Sequence, residues 1–150
     1  MPGMKIEDIA TPRPRTAYRD EPLLEAARAL CDQHVGALIV LERGAPISRP
    51  VGILTDRDIV CGEWRRAADL HCLTVGDVMT PNPLVLRPDL GVTEAIAALT
   101  ARAVRRAPLV DGSGALVGIV TLDDLLPAVA QELVALAQLM GGQAGREGRG

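Results

Sequence analysis

Aromatic side chains are almost missing from this 150-residue chain, which has one Trp, one Tyr and no Phe. Proteins that stack bases on exposed rings need several such residues and a basic face, whereas the formal net charge here is -3. Nucleic acid is therefore not an expected partner. Cysteine is scarce too: Cys31, Cys61 and Cys72 form no C-x-x-C pair, and an odd number argues for reduced thiols rather than a disulfide frame. Long apolar runs are also lacking. The longest are 35–41 and 125–140, the second interrupted by Pro127, Gln131, Glu132 and Gln138, so neither reaches the roughly 20 residues of a membrane span. No basic stretch followed by an apolar run marks a targeting peptide near the start. A cytoplasmic protein with no membrane partner is expected.

Enzymatic parts are missing as well. There is no G-x-S-x-G, no Walker loop and no H-E-x-x-H, and His34 and His71 are the only near-neutral bases. No catalytic residue is assigned. Cys61, His71 and Cys72 match no standard zinc spacing, so no metal site is expected either. What the chain does have is Ala, Leu, Val and Ile in quantity: hydrophobic residues make up 48% of it, enough for a packed core. Basic residues are 15 Arg to one Lys, a composition typical of a GC-rich bacterial genome.

The dominant feature is an internal repeat. A shift of 69 positions lays Ile6-Glu-Asp-Ile-Ala-Thr-Pro-Arg-Pro14 on Val75-Gly-Asp-Val-Met-Thr-Pro-Asn-Pro83, and the same shift matches Asp20 to Asp89, Glu25 to Glu94, Leu30 to Leu99 and Val35 to Val104. Past a Pro- and Gly-containing loop at 43–50 the shift falls to 66, which lays Val51-Gly-Ile-Leu-Thr-Asp-Arg-Asp-Ile59 on Val117-Gly-Ile-Val-Thr-Leu-Asp-Asp-Leu125. Each copy predicts a brief strand after Thr-Pro, an Ala/Leu-rich helix (Leu23, Ala27, Leu30; Val92, Ile96, Leu99), two hairpin strands, and a second helix opened by Thr. Asp20 and Asp89 stand where N-caps of the first helices are expected. The fold class is thus α+β, with two β-α-β-β-α units at 4–65 and 75–126 and a linker at 66–74. One copy buries too little alone, so the two should pack sheet to sheet about a pseudo-twofold axis. A C-terminal helix at 127–140 and a mobile tail at 141–150 complete the expectation.

Gly52-Ile-Leu-Thr-Asp-Arg-Asp58 and Gly118-Ile-Val-Thr-Leu-Asp-Asp124 resemble the G-h-h-T/S-x-x-D motif that ends a CBS (cystathionine β-synthase) domain. Val78-Met-Thr-Pro81 resembles the opening segment of such domains, and Val104-Arg-Arg-Ala-Pro-Leu-Val110 their central strand. The tandem pair resembles a stand-alone bacterial Bateman module. That likeness implies a non-enzymatic regulatory module binding AMP, ADP or ATP, or in some members S-adenosylmethionine or NAD. It also implies a homodimer that signals to a regulated protein.

Such a motif can serve a nucleotide physically. A helix start offers free N–H groups to phosphate, a Thr hydroxyl donates to phosphate or ribose, and an Asp carboxylate accepts from both ribose hydroxyls. By resemblance these roles pass to Thr55 and Asp58 and to Thr121 and Asp124. Thr-x-x-Asp is also a capping box, so the pairs could simply cap helices in a structural or protein-interaction module. The resemblance implies that Arg105 and Arg106 sit on the strand edge facing the cleft, where guanidinium groups suit phosphate oxygens, and Gly36 and Ala37 stand at their places in the first copy. The sequence therefore predicts unequal clefts, with Thr121, Asp124, Arg105 and Arg106 forming the stronger one. The resemblance implies that adenine lies between aliphatic groups: 14–17 with Val35 and Leu38, and 83–86 with Val104 and Pro108. Leu126, Val129, Leu133, Leu136 and Met140 form an apolar seam suited either to folding back over the chain's own sheets or to a second copy, the resemblance favouring the second copy.

Overall fold

A computed structural model describes residues 3–147. The chain opens with a 3-10 turn at Ile6–Asp8 and a two-residue strand β1 (Thr11–Pro12). The first repeat follows as β2 (Thr16–Tyr18), α1 (Leu23–Asp32), β3 (Ala37–Glu42), β4 (Arg49–Thr55) and α2 (Asp56–Arg66). The second begins with α3 (Val75–Val78) and β5 (Thr80–Pro81), then runs through α4 (Val92–Arg102), β6 (Arg106–Val110), β7 (Leu116–Thr121) and α5 (Leu122–Glu147). In place of the brief first strand it has a single parallel bridge, Leu86 to Leu109.

The Thr-Pro strands do not stay with their own repeats. β1 pairs antiparallel with β7 of the second repeat, Pro12 opposite Gly118, and β5 pairs antiparallel with β4 of the first, Pro81 opposite Gly52. The sheets are therefore β2-β3-β4-β5 and β1-β7-β6, each with an edge donated by the other copy. The helical turns before the strands cross with them. Ile6 is fully buried in the second core among Val92, Leu99, Leu109, Val120 and Leu125, and its counterpart Val75 is fully buried in the first among Leu23, Leu38, Val40 and Leu54. Burying each such side chain stabilises the assembly by about 1.5–3 kcal/mol. The exchange thus ties two half-sized cores into one unit.

The glycines opening the two motifs are explained by this crossing. A Cβ on Gly52 would meet the Thr80 carbonyl oxygen at 3.0 Å and Met79 Sδ at 2.5 Å, and one on Gly118 would meet the Thr11 carbonyl oxygen at 3.1 Å. No side chain fits where the donated strand lies against its host. Backbone conformation repeats as well: Arg13 and Asn82, 69 positions apart, take left-handed φ of 50° and 53°, and so do His34 and Ala103 at 51° and 53°.

Three expectations need correction. Asp20 and Asp89 do not cap α1 and α4; the N-caps are Pro22 and Gly91, neither with a side-chain bond, and Asp20 pairs with Arg43 at 3.3 Å. Pro127 does not separate a second-repeat helix from a C-terminal one, because α5 is continuous from Leu122 to Glu147. Leu125 and Ala128, buried on either side of Pro127, hold it to the second repeat against the lost backbone bond. The expected mobile tail is helical as far as Glu147, and 148–150 lie outside the described residues. With no break, 122–142 becomes one helix long and apolar enough to cross a membrane, with 11% of it buried, where the sequence showed only shorter runs.

Gly118→Ala is expected to lower stability by about 1–3 kcal/mol in urea unfolding, since the Thr11 carbonyl must be pushed from its strand. Ala103→Gly should act oppositely: relieving a left-handed residue at the end of α4 should raise stability by about 1 kcal/mol, a gain of about 2–4 °C in Tm.

Candidate ligand clefts between the repeats

Each motif sits at a strand-to-helix junction, where β-hairpin geometry delivers the Thr and the helix returns the Asp one turn later. Thr55 caps α2: its backbone N–H and its Oγ1 donate to Asp58 Oδ2 at 2.9 and 3.0 Å, and Asp58 N–H donates back to Thr55 Oγ1 at 3.2 Å. Thr121 and Asp124 repeat this box at the start of α5, with distances of 2.9, 3.1 and 3.4 Å. The two Asp residues then diverge. Thr80 Oγ1, on the donated β5, donates to Asp58 Oδ1 at 3.0 Å. Among the described residues nothing comparable reaches Asp124 Oδ1. A carboxylate offers about four acceptor positions, so Asp58 has about one left and Asp124 about two.

Of the cavities beside the boxes, two reach a motif threonine, and both are composite. One, of about 290 Å³, joins Thr55 and Asp58 of the first motif to Pro83, Leu84, Arg102, Val104, Arg105 and Arg106 of the second repeat, with donated β5 between. The other, of about 540 Å³, joins Thr121 of the second motif to Thr11, Arg13, Pro14, Arg15, Val35, Gly36 and Ala37 of the first repeat, and Arg106 lines this one too. Asp124 is not part of its wall. Both volumes are of the size that holds a small ligand.

This geometry revises the sequence-predicted grouping. Arg105 meets the second motif through its backbone carbonyl, which accepts from Leu122 N–H at 2.9 Å, while Val104 and Arg105 line the smaller cavity with Thr55 and Asp58. Arg106 pairs in register with Thr121 on β7, yet its guanidinium reaches across to the first repeat, 3.5 Å from where a Cβ of Gly36 would lie. Pro108 lines neither cavity and is fully buried in the core, as are Ala17, Leu38 and Leu86 from the expected adenine neighbourhoods. Pro14, Val35, Pro83, Leu84 and Val104 do line the cavities.

Charge is also more evenly shared than expected. Sequence comparison at the central strand missed Arg13, Arg15 and Arg102, which give each cavity three arginines. Arg102 Nη2 donates to the Asn82 carbonyl at 2.7 Å and braces the loop after β5. Among the described residues the ion pairs are Arg19–Glu42, Arg28–Glu25 and Arg43–Asp20, so none of the five cavity arginines is neutralised by a carboxylate. The aromatic residues are engaged elsewhere: the Arg43 guanidinium lies 3.7 Å over the Tyr18 ring, and Trp64 is 82% exposed on α2. No cluster of three or more His, Cys, Asp or Glu able to hold a metal occurs among the described residues.

The family model for the CBS domain matches residues 6–61 and 75–131. The chain belongs to the CBS domain family. As a CBS pair it is 26% identical over 126 residues to an uncharacterised protein of Methanopyrus kandleri, MK0525, covering 84% of this chain and 63% of that one. It is 32% identical over 120 residues to the CBS domain-containing protein YhcV of Bacillus subtilis, covering 80% and 81%. Among solved structures it is similar to CBSX2 of Arabidopsis thaliana in complex with AMP, at 29% identity and a TM-score of 0.71, covering 86% of this chain and 98% of that one. Two CBS repeats joined as a Bateman module are what the fold shows.

The two Asp residues of these CBS motifs should differ in structural weight. Asp58→Ala removes three accepted bonds from two segments of chain, whereas Asp124→Ala removes the box alone. Loss of about 1–2 kcal/mol is expected for Asp58→Ala and about half of that for Asp124→Ala, measured by urea unfolding without ligand.

Proposed function

We propose that this CBS pair is a cytoplasmic regulatory module that binds an adenine nucleotide of the AMP, ADP or ATP type in its composite clefts. Occupancy would be passed through a homodimer to a regulated protein. The observation that carries this reading is the facing of a Thr-x-x-Asp helix start, across each cavity, by arginines without carboxylate partners. Guanidinium groups without carboxylate partners at the positive end of a helix suit phosphate, and the aliphatic walls suit a base held without ring stacking. The AMP complex of CBSX2 supports the ligand class. Of the two clefts, the one with Thr55 and Asp58 is favoured for a whole nucleotide. Its wall includes the Asp58 carboxylate, with about one acceptor position left for a ribose hydroxyl, as well as Arg102, Arg105 and Arg106 for phosphate. S-adenosylmethionine, being cationic, suits either cleft less well.

A second reading has its own support. Both carboxylates already accept capping bonds, as a purely structural or protein-interaction module would require. Capping and ligand duty share one helix end, so ligand response decides between them. Melting curves with millimolar AMP, ADP, ATP, S-adenosylmethionine and NAD are the test. A ligand at about 100 times its Kd should add about 2.7 kcal/mol. The expected outcome is a rise with one nucleotide that Asp58→Ala abolishes and Asp124→Ala largely retains. No shift with any ligand, in nucleotide-free protein, moves the assignment to the interaction module.

The dimer rests on the apolar surface of α5, where Leu126, Leu133, Leu136 and Met140 are all more than half exposed, together with Val60 and Trp64 of α2. Val60 and Leu126 are repeat counterparts, so the face straddles both copies of the motif helix. Sedimentation should give twice the 15.8 kDa chain mass, and Leu133→Glu should return it to a monomer.

A further inference from the structure

We propose that Arg106 is a shared anion-binding residue that couples the two clefts, so that phosphate held in one weakens phosphate binding in the other. This rests on the nucleotide reading above. Arg106 is the residue common to the walls of both cavities, with Arg102 and Arg105 confined to one and Arg13 and Arg15 to the other. Its backbone pairs with Thr121, while its guanidinium extends toward Gly36 in the opposite repeat. The position was open to such a reach because the first repeat puts Gly36 there and Ala37 at the counterpart of Arg106 itself, leaving no second guanidinium to oppose it. Among the described residues no carboxylate pairs with it. It is also half-buried, so solvent screens it less than a free surface arginine.

A single guanidinium committed to one phosphate has fewer donors and less uncompensated charge for a second, and the two bound phosphates repel each other across it. The coupling must therefore be negative and reciprocal. It must also depend on phosphate. Adenosine, which lacks the anion, should fill both clefts independently.

Calorimetric titration of the full chain with AMP tests this, using Val104→Trp to plug the cavity beside Thr55 and Val35→Trp to plug the one beside Thr121, with Val104→Phe and Val35→Phe as smaller plugs should either Trp variant fail to fold. Each plugged variant reports the other cleft alone. For the unaltered chain, the product of the two dissociation constants should exceed the product from the two plugged variants by about tenfold. With adenosine, or with AMP in the same set carrying Arg106→Ala, the products should agree within about twofold. Agreement of the products with AMP in the unaltered chain would overturn the coupling while leaving nucleotide binding intact. So would an excess that persists with adenosine, since it would pass through something other than phosphate on Arg106. Absence of any AMP binding would remove the nucleotide reading and the coupling together.

Discussion

Everything in this fold depends on two short strands lying where a side chain cannot. Thr11–Pro12 and Thr80–Pro81 rest against Gly118 and Gly52, with the Thr carbonyl oxygens 3.1 and 3.0 Å from the missing Cβ positions. Proline has no N–H to offer a ladder, and as an edge residue it also terminates the sheet. A donated two-residue edge closed by proline cannot grow into a long unpaired strand, which would invite pairing with other chains. The glycine and the Thr-Pro dipeptide are therefore one device, split between the repeats.

That device also makes the clefts. Because β5 is delivered to β4, Thr80 reaches Asp58 and the loop from Asn82 to Leu84 is carried onto the first motif. Because β1 is delivered to β7, Arg13 and Arg15 arrive beside Thr121. Neither cavity belongs to one repeat, so neither can exist before both repeats have folded. A ligand bridging the two walls would bind the folded pair and nothing less, and its binding energy would appear in full as stability of the pair. A module whose clefts and cores share the same crossing segments is suited to convert occupancy into a change of mechanical state.

Much of this was legible in the residues. The register of 69 and 66, the helix and hairpin periods and the capping boxes all follow local rules, and the structure reproduces them. What was not legible was partnership. A repeat shift states that Ile6 and Val75 are equivalent, but an exchanged and an unexchanged arrangement bury the same residues in the same environments, so local pattern cannot separate them. Arg105 was grouped with Thr121 by the layout that the resemblance implies, whereas it lines the cavity of Thr55 and Asp58, which the crossing brings to it. One signal was present: both motif glycines stand mid-strand, where glycine is weak, which implies a close backbone neighbour. Pro127 misled in the opposite sense, since a local breaker was outweighed by the tertiary anchoring of Leu125 and Ala128.

Charge shows the same gap between composition and place. A net charge of -3 argues against a polyanionic partner. Yet the arginines are not spent evenly. Arg19, Arg28 and Arg43 are paired with carboxylates on the outer surface, while Arg13, Arg15, Arg102, Arg105 and Arg106 are left without such partners at the two clefts. Arginines without carboxylate partners inside small cavities discriminate by size as well as by sign. A long nucleic acid meets the net negative charge of the chain, whereas a mononucleotide is small enough to enter a cavity and meet guanidinium groups without carboxylate partners.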